Sequence, residues 1–150
     1  MKSFFSLSLL AIGISLTSFS AHSAEVKVTM LNSDKAGAAM VFEPAFVKVN
    51  VGDTVTFVSG QAGGHNARTI FAPTGAKPLA TEMDKGFSYK VEKEGVYLYV
   101  CDPHKAMGMV GVIQVGKPVN LAEAKKIAID EQSKFAMNKD AYSKLLAQVK

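Results

Sequence analysis

Short runs of β-branched and aromatic residues, several with alternating apolar and polar side chains, recur along the middle of this chain. The clearest runs cover residues 25–30, 54–58 and 96–100, and turn-forming residues separate them from their neighbours. A strand buried on one face has this two-residue period, and several such strands joined by regular turns form a sandwich or a barrel. We therefore predict an all-β domain. Its other strands are predicted at residues 40–42, 45–50, 87–91 and 110–115, with residues 66–86 irregular.

The first 24 residues have the layout of a secretory signal peptide. Lys2 supplies the positive start, and an apolar run from Phe4 to Phe19 is followed by small residues. A membrane anchor is the alternative, but the run is too short and too rich in serine, since a spanning helix needs about 20 mostly apolar residues. We expect cleavage after Ser23 or Ala24, with residues 25–150 exported to a bacterial periplasm and not stably associated with a membrane.

The pattern changes to a helical period near residue 119. Two sets of apolar residues have this spacing: Leu121, Ala124, Ile127 and Ala128, and then Tyr142, Leu145, Leu146 and Val149. Asn120, with Glu123 three residues later, predicts a capping box at the start of the first helix. We predict two amphipathic helices within about residues 119–150 that pack on the sandwich. Binding to a membrane surface is less favoured, because the helices lack a strongly basic face with aromatic anchors.

Charge differs between the regions of the chain. Residues 25–116 carry nine basic and nine acidic side chains, whereas residues 117–150 carry seven lysines against four acids. The formal net charge of +4 therefore belongs mostly to the tail. It is too diffuse to indicate nucleic-acid binding, for which a concentrated basic patch is typical. An acidic protein partner is compatible with this charge but is not required by it.

Residues able to bind a soft metal are concentrated in one loop. Cys101, His104, Met107 and Met109 lie within nine residues between two predicted strands, and His65 follows a Gly-rich loop at the end of another. In an antiparallel sandwich, loops distant in sequence can meet at one end. Two His and one Cys in a plane, with a weak axial Met, form the ligand set of blue-copper electron-transfer sites.

The same residues allow other interpretations. Cys101 and His104 could form a nucleophilic pair, but no orienting group or oxyanion hole is apparent. A structural zinc site normally has four Cys or His ligands, and residues 25–150 contain three. Either Met107 or Met109 could be core filler, although for Met107 we favour a surface contact. Asp102 is expected to be a solvated loop charge.

The motifs resemble the pseudoazurin family of cupredoxins. The resemblance rests on Cys101-x-Pro-His104-x-Ala-Met-Gly-Met109, on His65-Asn66 and on the segments at 30–32, 40–45 and 52–57. It extends over essentially all of residues 25–150. It implies a cupredoxin-like Greek-key β-sandwich with two C-terminal α-helices, holding one copper ion, Cu(I) or Cu(II), in a type 1 site. The ligands it implies are His65, Cys101, His104 and Met109.

The resemblance also implies what surrounds the metal. Asn66 would tie the two ligand loops together by hydrogen bonds, Met40 would lie beside the His104 ring, and Pro103 stiffens the loop. The edge of His104 would be the electron exit, within an apolar patch. The predicted docking patch comprises Met107, Ala106, Lys105 and Lys35, together with Met40 and Pro103.

Two departures from the family affect the predicted docking and the tail. Lysines typically precede the Cys and the upstream His, and this chain has Val100 and Gly63-Gly64 there. We therefore expect weak electrostatic steering of partners. The tail is longer than is usual and lacks a Lys/Pro-rich junction between its helices.

The predicted function is a carrier of single electrons and not an enzyme, because the four ligands leave no coordination position for a substrate. The resemblance implies a copper nitrite reductase or another denitrification reductase as acceptor, and a cytochrome or other donor. We expect a monomer. A periplasmic copper-storage or copper-delivery protein is the first alternative, and a small copper enzyme with a vacant coordination position is the second.

Overall fold

The computed structural model describes residues 23–150, so the predicted signal peptide lies outside the described residues except for its last two positions. The elements in chain order are β1 (Glu25–Ser33), β2 (Ala39–Glu43), β3 (Phe46–Val49), β4 (Thr54–Ser59), β5 (Arg68–Phe71), β6 (Phe87–Lys90), β7 (Gly95–Val100), a 3₁₀ turn (Lys105–Met107), β8 (Val110–Val115), α1 (Leu121–Gln132) and α2 (Ala141–Leu146).

The strands form two four-stranded sheets, in the orders β2-β1-β4-β6 and β3-β8-β7-β5. The predicted sandwich with two C-terminal helices is confirmed, and two of its strand pairs are parallel. β1 pairs with β4 in parallel, and β3 pairs with β8 in parallel. The chain enters the second sheet through β3 between β1 and β4, and this crossover brings β4 back beside β1 in the same direction.

The core between the sheets is built from alternate strand residues. Val28 and Met30 of β1 and Val55 and Phe57 of β4 are fully buried, while the residues between them are more exposed. Tyr99 packs edge-to-face on Phe57, with ring centroids 5.2 Å apart. This is the period that the sequence shows, because one face of the sheet meets the core and the other meets water.

Alternate side chains of β7 enter two different cores. Tyr97, Tyr99 and the following Cys101 belong to the core between the sheets. Leu98 and Val100 belong to a second core between this sheet and the two helices. The continuous apolar run of β7 is therefore explained by burial on both faces. Val100 is fully buried beneath the tail, at a position where a charged side chain would be desolvated.

Strand β5 corrects the prediction that residues 66–86 are irregular. Arg68 is in register with Val100 and Thr69 with Tyr99, and an irregularity in the pairing precedes Phe71. All four residues of β5 are half-buried, so the strand has no alternation by which its sequence could be recognised.

The helices pack on the sandwich as predicted, with Ala124 and Ala128 of α1 and Tyr142 and Leu146 of α2 buried. The predicted capping box is wrong. The Asn120 side chain makes no cap; its Oδ1 accepts from Val96 N at 2.7 Å, and its Nδ2 donates to Val96 O at 3.0 Å. The amide is used to bind the start of the tail to β7. Among residues 23–150, no helix combines the length and the apolar character needed to cross a membrane.

Candidate metal centre

Three metal-ligating side chains meet at one end of the sandwich. One donor atom from each of His65, Cys101 and His104 can be chosen so that all lie within 4.8 Å of one another. Nδ1 of His104 lies 3.4 Å from Cys101 Sγ, and Nδ1 of His65 lies 3.8 Å from it. Both imidazoles therefore direct the same ring nitrogen towards the sulfur.

The orientation of the His65 ring is fixed from its far side. Asn32 Oδ1 lies 2.8 Å from His65 Nε2 and accepts its hydrogen bond when that nitrogen carries the proton. This leaves Nδ1 free of a proton and available as a metal ligand. His65 is fully buried, and burial lowers the pKa of its ring, with the nearby His104 acting in the same direction. The neutral form, which ligates metals, is thus favoured.

Met109 closes the loop that begins at Cys101. Cys101 N–H donates to Met109 O at 3.0 Å, and Met109 N–H donates to His104 O at 3.3 Å. The Met109 side chain is fully buried in the same core cluster as Cys101. Gly108 has φ +78°, a conformation that favours glycine, and it turns the chain directly before Met109.

The Cys101 thiol is the buried centre of this group. Burial raises its pKa, while the backbone N–H groups of Asn66 and His104 act in the opposite direction. A cation between the three donors would favour the thiolate, because an opposite charge stabilises the ionised form. The site is thus suited to exchange a proton for a metal ion.

The loop before His65 is held by Asp84. Its carboxylate accepts hydrogen bonds from the N–H groups of Gly64 at 3.0 Å and His65 at 2.9 Å. These bonds hold the pKa of Asp84 below its ordinary value. Asp84 is not among the predicted site residues, because it lies in a segment that its sequence predicts to be irregular.

Asn66 joins the two ligand loops, as the resemblance implied. Its Oδ1 accepts from Asp102 N at 2.8 Å, and its Nδ2 donates to Asp102 Oδ2 at 2.8 Å. The expectation that Asp102 is only a solvated charge is wrong, because Arg68 also donates to this carboxylate. The Arg68 hydrogen bonds lower the pKa of Asp102. No sequence pattern indicates a role for Arg68, which lies in β5, the strand that was not predicted.

The predicted docking residues differ in their surroundings. Lys105 forms an ion pair with Glu131 of α1, so its charge is partly neutralised. Lys35, Pro103 and Ala106 are exposed, and His104, Met40 and Met107 are half-buried. Met40 and Gly108 line a common cleft of about 450 Å³ between β2 and α2, and none of the proposed metal donors lines it. The contact of Met40 with the His104 ring and the composition of the docking patch stay predictions.

Two of the positions that lack lysine, Val100 and Gly63, exclude it for steric or desolvation reasons, and Gly64, directly before His65, has φ +71°, a conformation that favours glycine. Val100 is buried beneath the helices, as described above. A Cβ at Gly63 would lie 2.1 Å from Asn32 Oδ1 and 2.8 Å from His65 Nε2. The bond that orients His65 therefore leaves no space for a side chain there.

Comparison with known proteins connects this geometry to a family. The family model for copper binding proteins of the plastocyanin/azurin family matches residues 28–116. The chain belongs to this family. Among its relatives, a pseudoazurin from Methylorubrum extorquens is 44% identical over 121 residues, which are 79% of this chain and 80% of that protein. A pseudoazurin from Paracoccus pantotrophus is 37% identical over 126 residues, 82% of either chain.

Solved structures agree with this family assignment. The crystal structure of native pseudoazurin from Hyphomicrobium denitrificans matches with a TM-score of 0.72 and 40% identity, covering 85% of this chain and 99% of that one. The resemblance to pseudoazurins and the cupredoxin-like fold are thus confirmed.

The residues at the site fit the cofactor of the family, one copper ion. A buried sulfur and two imidazole nitrogens within 4.8 Å of one another are soft and borderline donors of the kind that copper prefers. A fully buried thioether, Met109, adjoins them in the core.

Proposed function

We propose that this protein carries single electrons through a type 1 copper site ligated by His65, Cys101, His104 and, axially, Met109. The observation that carries this proposal is the convergence of both imidazole Nδ1 atoms on Cys101 Sγ, at 3.4 and 3.8 Å. Two His and one Cys with a long axial Met is the ligand set of blue-copper electron-transfer sites. Copper bound there supplies a one-electron couple between Cu(I) and Cu(II).

The burial of the ligands supports outer-sphere transfer. His65, Cys101 and Met109 are buried, so water is kept from three of the four donors. His104 is half-buried, between the exposed Pro103 and the partly exposed Lys105, and is therefore the ligand through which an electron would leave. A partner needs only to contact this edge.

The same geometry supports a carrier over an enzyme. Four protein donors leave no coordination position for a substrate. The cleft beside the loop is lined by Met40 and Gly108 but by none of the donors, so a molecule bound in it would not reach the metal directly.

The location and partners are proposed from the sequence. The signal-like residues 1–24 support export to a bacterial periplasm. Similarity to pseudoazurins supports a redox protein as partner, and we propose a copper nitrite reductase or another denitrification reductase as the acceptor and a cytochrome or another redox protein as the donor. We propose that the protein works as a monomer.

The visible spectrum tests the carrier function. Protein loaded with Cu(II) is expected to show an intense blue or green thiolate band that ascorbate bleaches and reoxidation restores. Cys101→Ser should abolish the band, because it removes the thiolate. A faint band in the wild-type protein, or an intense band in the Ser variant, would contradict the assignment.

Copper retention separates a carrier from a copper-delivery protein. A carrier is expected to lose its metal slowly to an added chelator while cycling reversibly between oxidation states. Rapid transfer of copper to a metal-free acceptor protein would favour delivery.

A further inference from the structure

The segment between α1 and α2 lies against the loop that carries His104 and Met109. The N–H groups of Ala136 and Met137 donate to Ala106 O at 2.7 and 3.3 Å. Asn138 Nδ2 donates to Met107 O at 2.9 Å. Three hydrogen bonds from this segment, residues 133–140, therefore reach the carbonyl oxygens of two consecutive residues, which lie between the proposed ligands His104 and Met109.

Gly108 also packs against this segment, so closely that there is no space for a side chain at residue 108. A Cβ on Gly108 would lie 2.7 Å from the Asn138 Cβ and 3.2 Å from the carbonyl oxygens of Met137 and Asn138. Asn138 itself has φ +46°, a conformation in which Asn is enriched among residues other than glycine. The two backbones are thus fitted to each other at the residue that precedes Met109.

The segment is in turn fixed to the helices that flank it. Phe135 is 3% exposed, and its ring lies 6.0 Å from that of the buried Tyr142. Gln132 Nε2 donates to Ser143 Oγ at 2.7 Å, and Ser143 N donates to Gln132 Oε1 at 3.2 Å. These contacts join the end of α1 to the start of α2, so that the segment is supported from behind.

Several further hydrogen bonds of the ligand loop lie within the loop itself. Its turn is closed by Met107 N–H donating to His104 O at 3.0 Å and by Gly108 N–H donating to Lys105 O at 2.9 Å. Bonds of this local kind set the shape of the turn but do not fix its position on the sandwich. Other parts of the protein hold the loop at three places: Asn66 and Arg68 at Asp102, Glu131 at Lys105, and residues 133–140 at Ala106 and Met107.

We propose that residues 133–140 form a brace that positions the copper-ligand loop, with Asn138 as its positioning residue. The role at the metal rests on the proposed function, because it requires His104 and Met109 to be ligands. A loop that keeps its position changes little between the two oxidation states of a bound metal, which speeds electron exchange and slows metal loss. Residues outside the ligand set that orient ligands commonly contribute about 10- to 100-fold to metal affinity or activity.

Two variants of Asn138 test the brace. Asn138→Asp keeps the shape but replaces the donor by an acceptor opposite Met107 O, and Asn138→Gly removes the side chain while tolerating the positive φ. Lys139→Ala is the matched control, because its side chain is exposed and adjacent. Copper-loaded protein is assayed for release of copper to a chelator, electron self-exchange and the thiolate band. The amide hydrogen exchange of residues 104–109 is measured in metal-free protein.

Both Asn138 variants should lose copper about tenfold faster than the wild-type protein. Their self-exchange should be slower and the amides of residues 107–109 less protected, with Lys139→Ala unchanged. Wild-type rates of copper loss and wild-type protection in both variants would overturn the proposal. So would a lower melting temperature with unchanged spectrum, copper loss and self-exchange, because this indicates a purely structural role. A wild-type protein without an intense thiolate band would instead refute the proposed function, and the hydrogen exchange would still show whether the brace exists.

Discussion

Arg68 binds Asp102 through two nitrogen atoms, at the residue directly after the proposed thiolate ligand. Nε lies 2.9 and 3.0 Å from the two carboxylate oxygens, and Nη2 lies 2.6 Å from Oδ1. The same carboxylate accepts from Asn66 Nδ2. A charge that would otherwise lie unbalanced near the metal is therefore both neutralised and used to fix the loop.

We predict that Arg68→Leu lowers the reduction potential of the copper site. The variant leaves the Asp102 charge unpaired, and a nearby negative charge stabilises Cu(II) relative to Cu(I). Because both side chains are partly exposed, the shift should be modest, roughly equivalent to 1 kcal/mol or less. Cyclic voltammetry measures it.

Asp102→Asn supplies the control for this prediction. It removes the charge but retains an oxygen that can accept from Asn66, so the potential should rise. The double variant should lie near the wild-type value. A fall of the same size in both single variants would show that loop distortion, and not charge, sets the potential.

The ion pair between Lys105 and Glu131 leads to a prediction for docking. Glu131 lies on α1 and also binds Lys134, and its bonds to both lysines lower the pKa of its carboxyl. With Lys105 and Arg68 both paired, little free positive charge remains at this rim. Electron transfer with an anionic reagent such as hexacyanoferrate should therefore depend only weakly on salt.

Glu131→Gln should increase that dependence. It releases the charge of Lys105, so the rate with the anionic reagent at low salt should rise by about threefold and fall as salt is added. Stopped-flow measurements over a range of ionic strength provide the test. Asp140→Asn, which alters an exposed pair with Lys144 on α2, is the control. A steep salt dependence in the wild-type protein would contradict the prediction.

The sequence predicts the sandwich and the metal donors well for a physical reason. Apolar residues that alternate with polar ones, such as Val55 and Phe57, indicate which face of a strand is buried. Cys101, His104 and Met109 are close in the chain as well as in space. Because Cys, His and Met are characteristic metal donors, their grouping in one loop predicts a metal site without a structure.

The surroundings of the donors could not be predicted in the same way. Arg68, Asp84 and Asn138 act through contacts with residues 19 to 34 positions away. Each is a common polar residue in an irregular or weakly patterned segment. At Asn120 a local pattern predicts a contact that does not form. Its spacing from Glu123 fits a capping box, but its side chain instead makes a tertiary contact with Val96.

Asp53 leads to a prediction of pH-dependent stability. This buried carboxylate accepts from Asn50 N–H at 2.8 Å, which is the main cause of its lowered pKa. It also accepts from Ala24 N–H at 2.8 Å, a bond that cleavage after Ser23 would retain and cleavage after Ala24 would remove. In the unfolded chain the pKa is about 4. The ionised carboxylate therefore stabilises the fold above about pH 4, and this contribution is lost as the pH falls through the lowered folded-state pKa.

Urea unfolding of the wild-type protein and Asp53→Asn measures this effect. The variant should be less stable at pH 7, and the difference should shrink at pH 3 and below. A constant difference at all pH values would indicate that packing of the side chain matters and its charge does not.

The bond between Asn32 and His65 orients a ligand that is fully buried. Asn32→Ala removes the acceptor for His65 Nε2–H and leaves that donor unpaired in a buried position. An unsatisfied buried donor costs about 1–3 kcal/mol, and a ligand that can rotate binds metal about 10- to 100-fold more weakly. Copper affinity by competition with a chelator should fall accordingly.

Gly63→Ala is expected to disrupt the same hydrogen bond between Asn32 and His65 by steric displacement. Its methyl group would have to displace Asn32 Oδ1 from the position that it needs to hold the ring. The copper affinity should fall as in Asn32→Ala, and the double variant should be little worse than either single variant, because both act on one bond. Strictly additive losses would show that Gly63 serves the loop backbone independently of the orientation of His65.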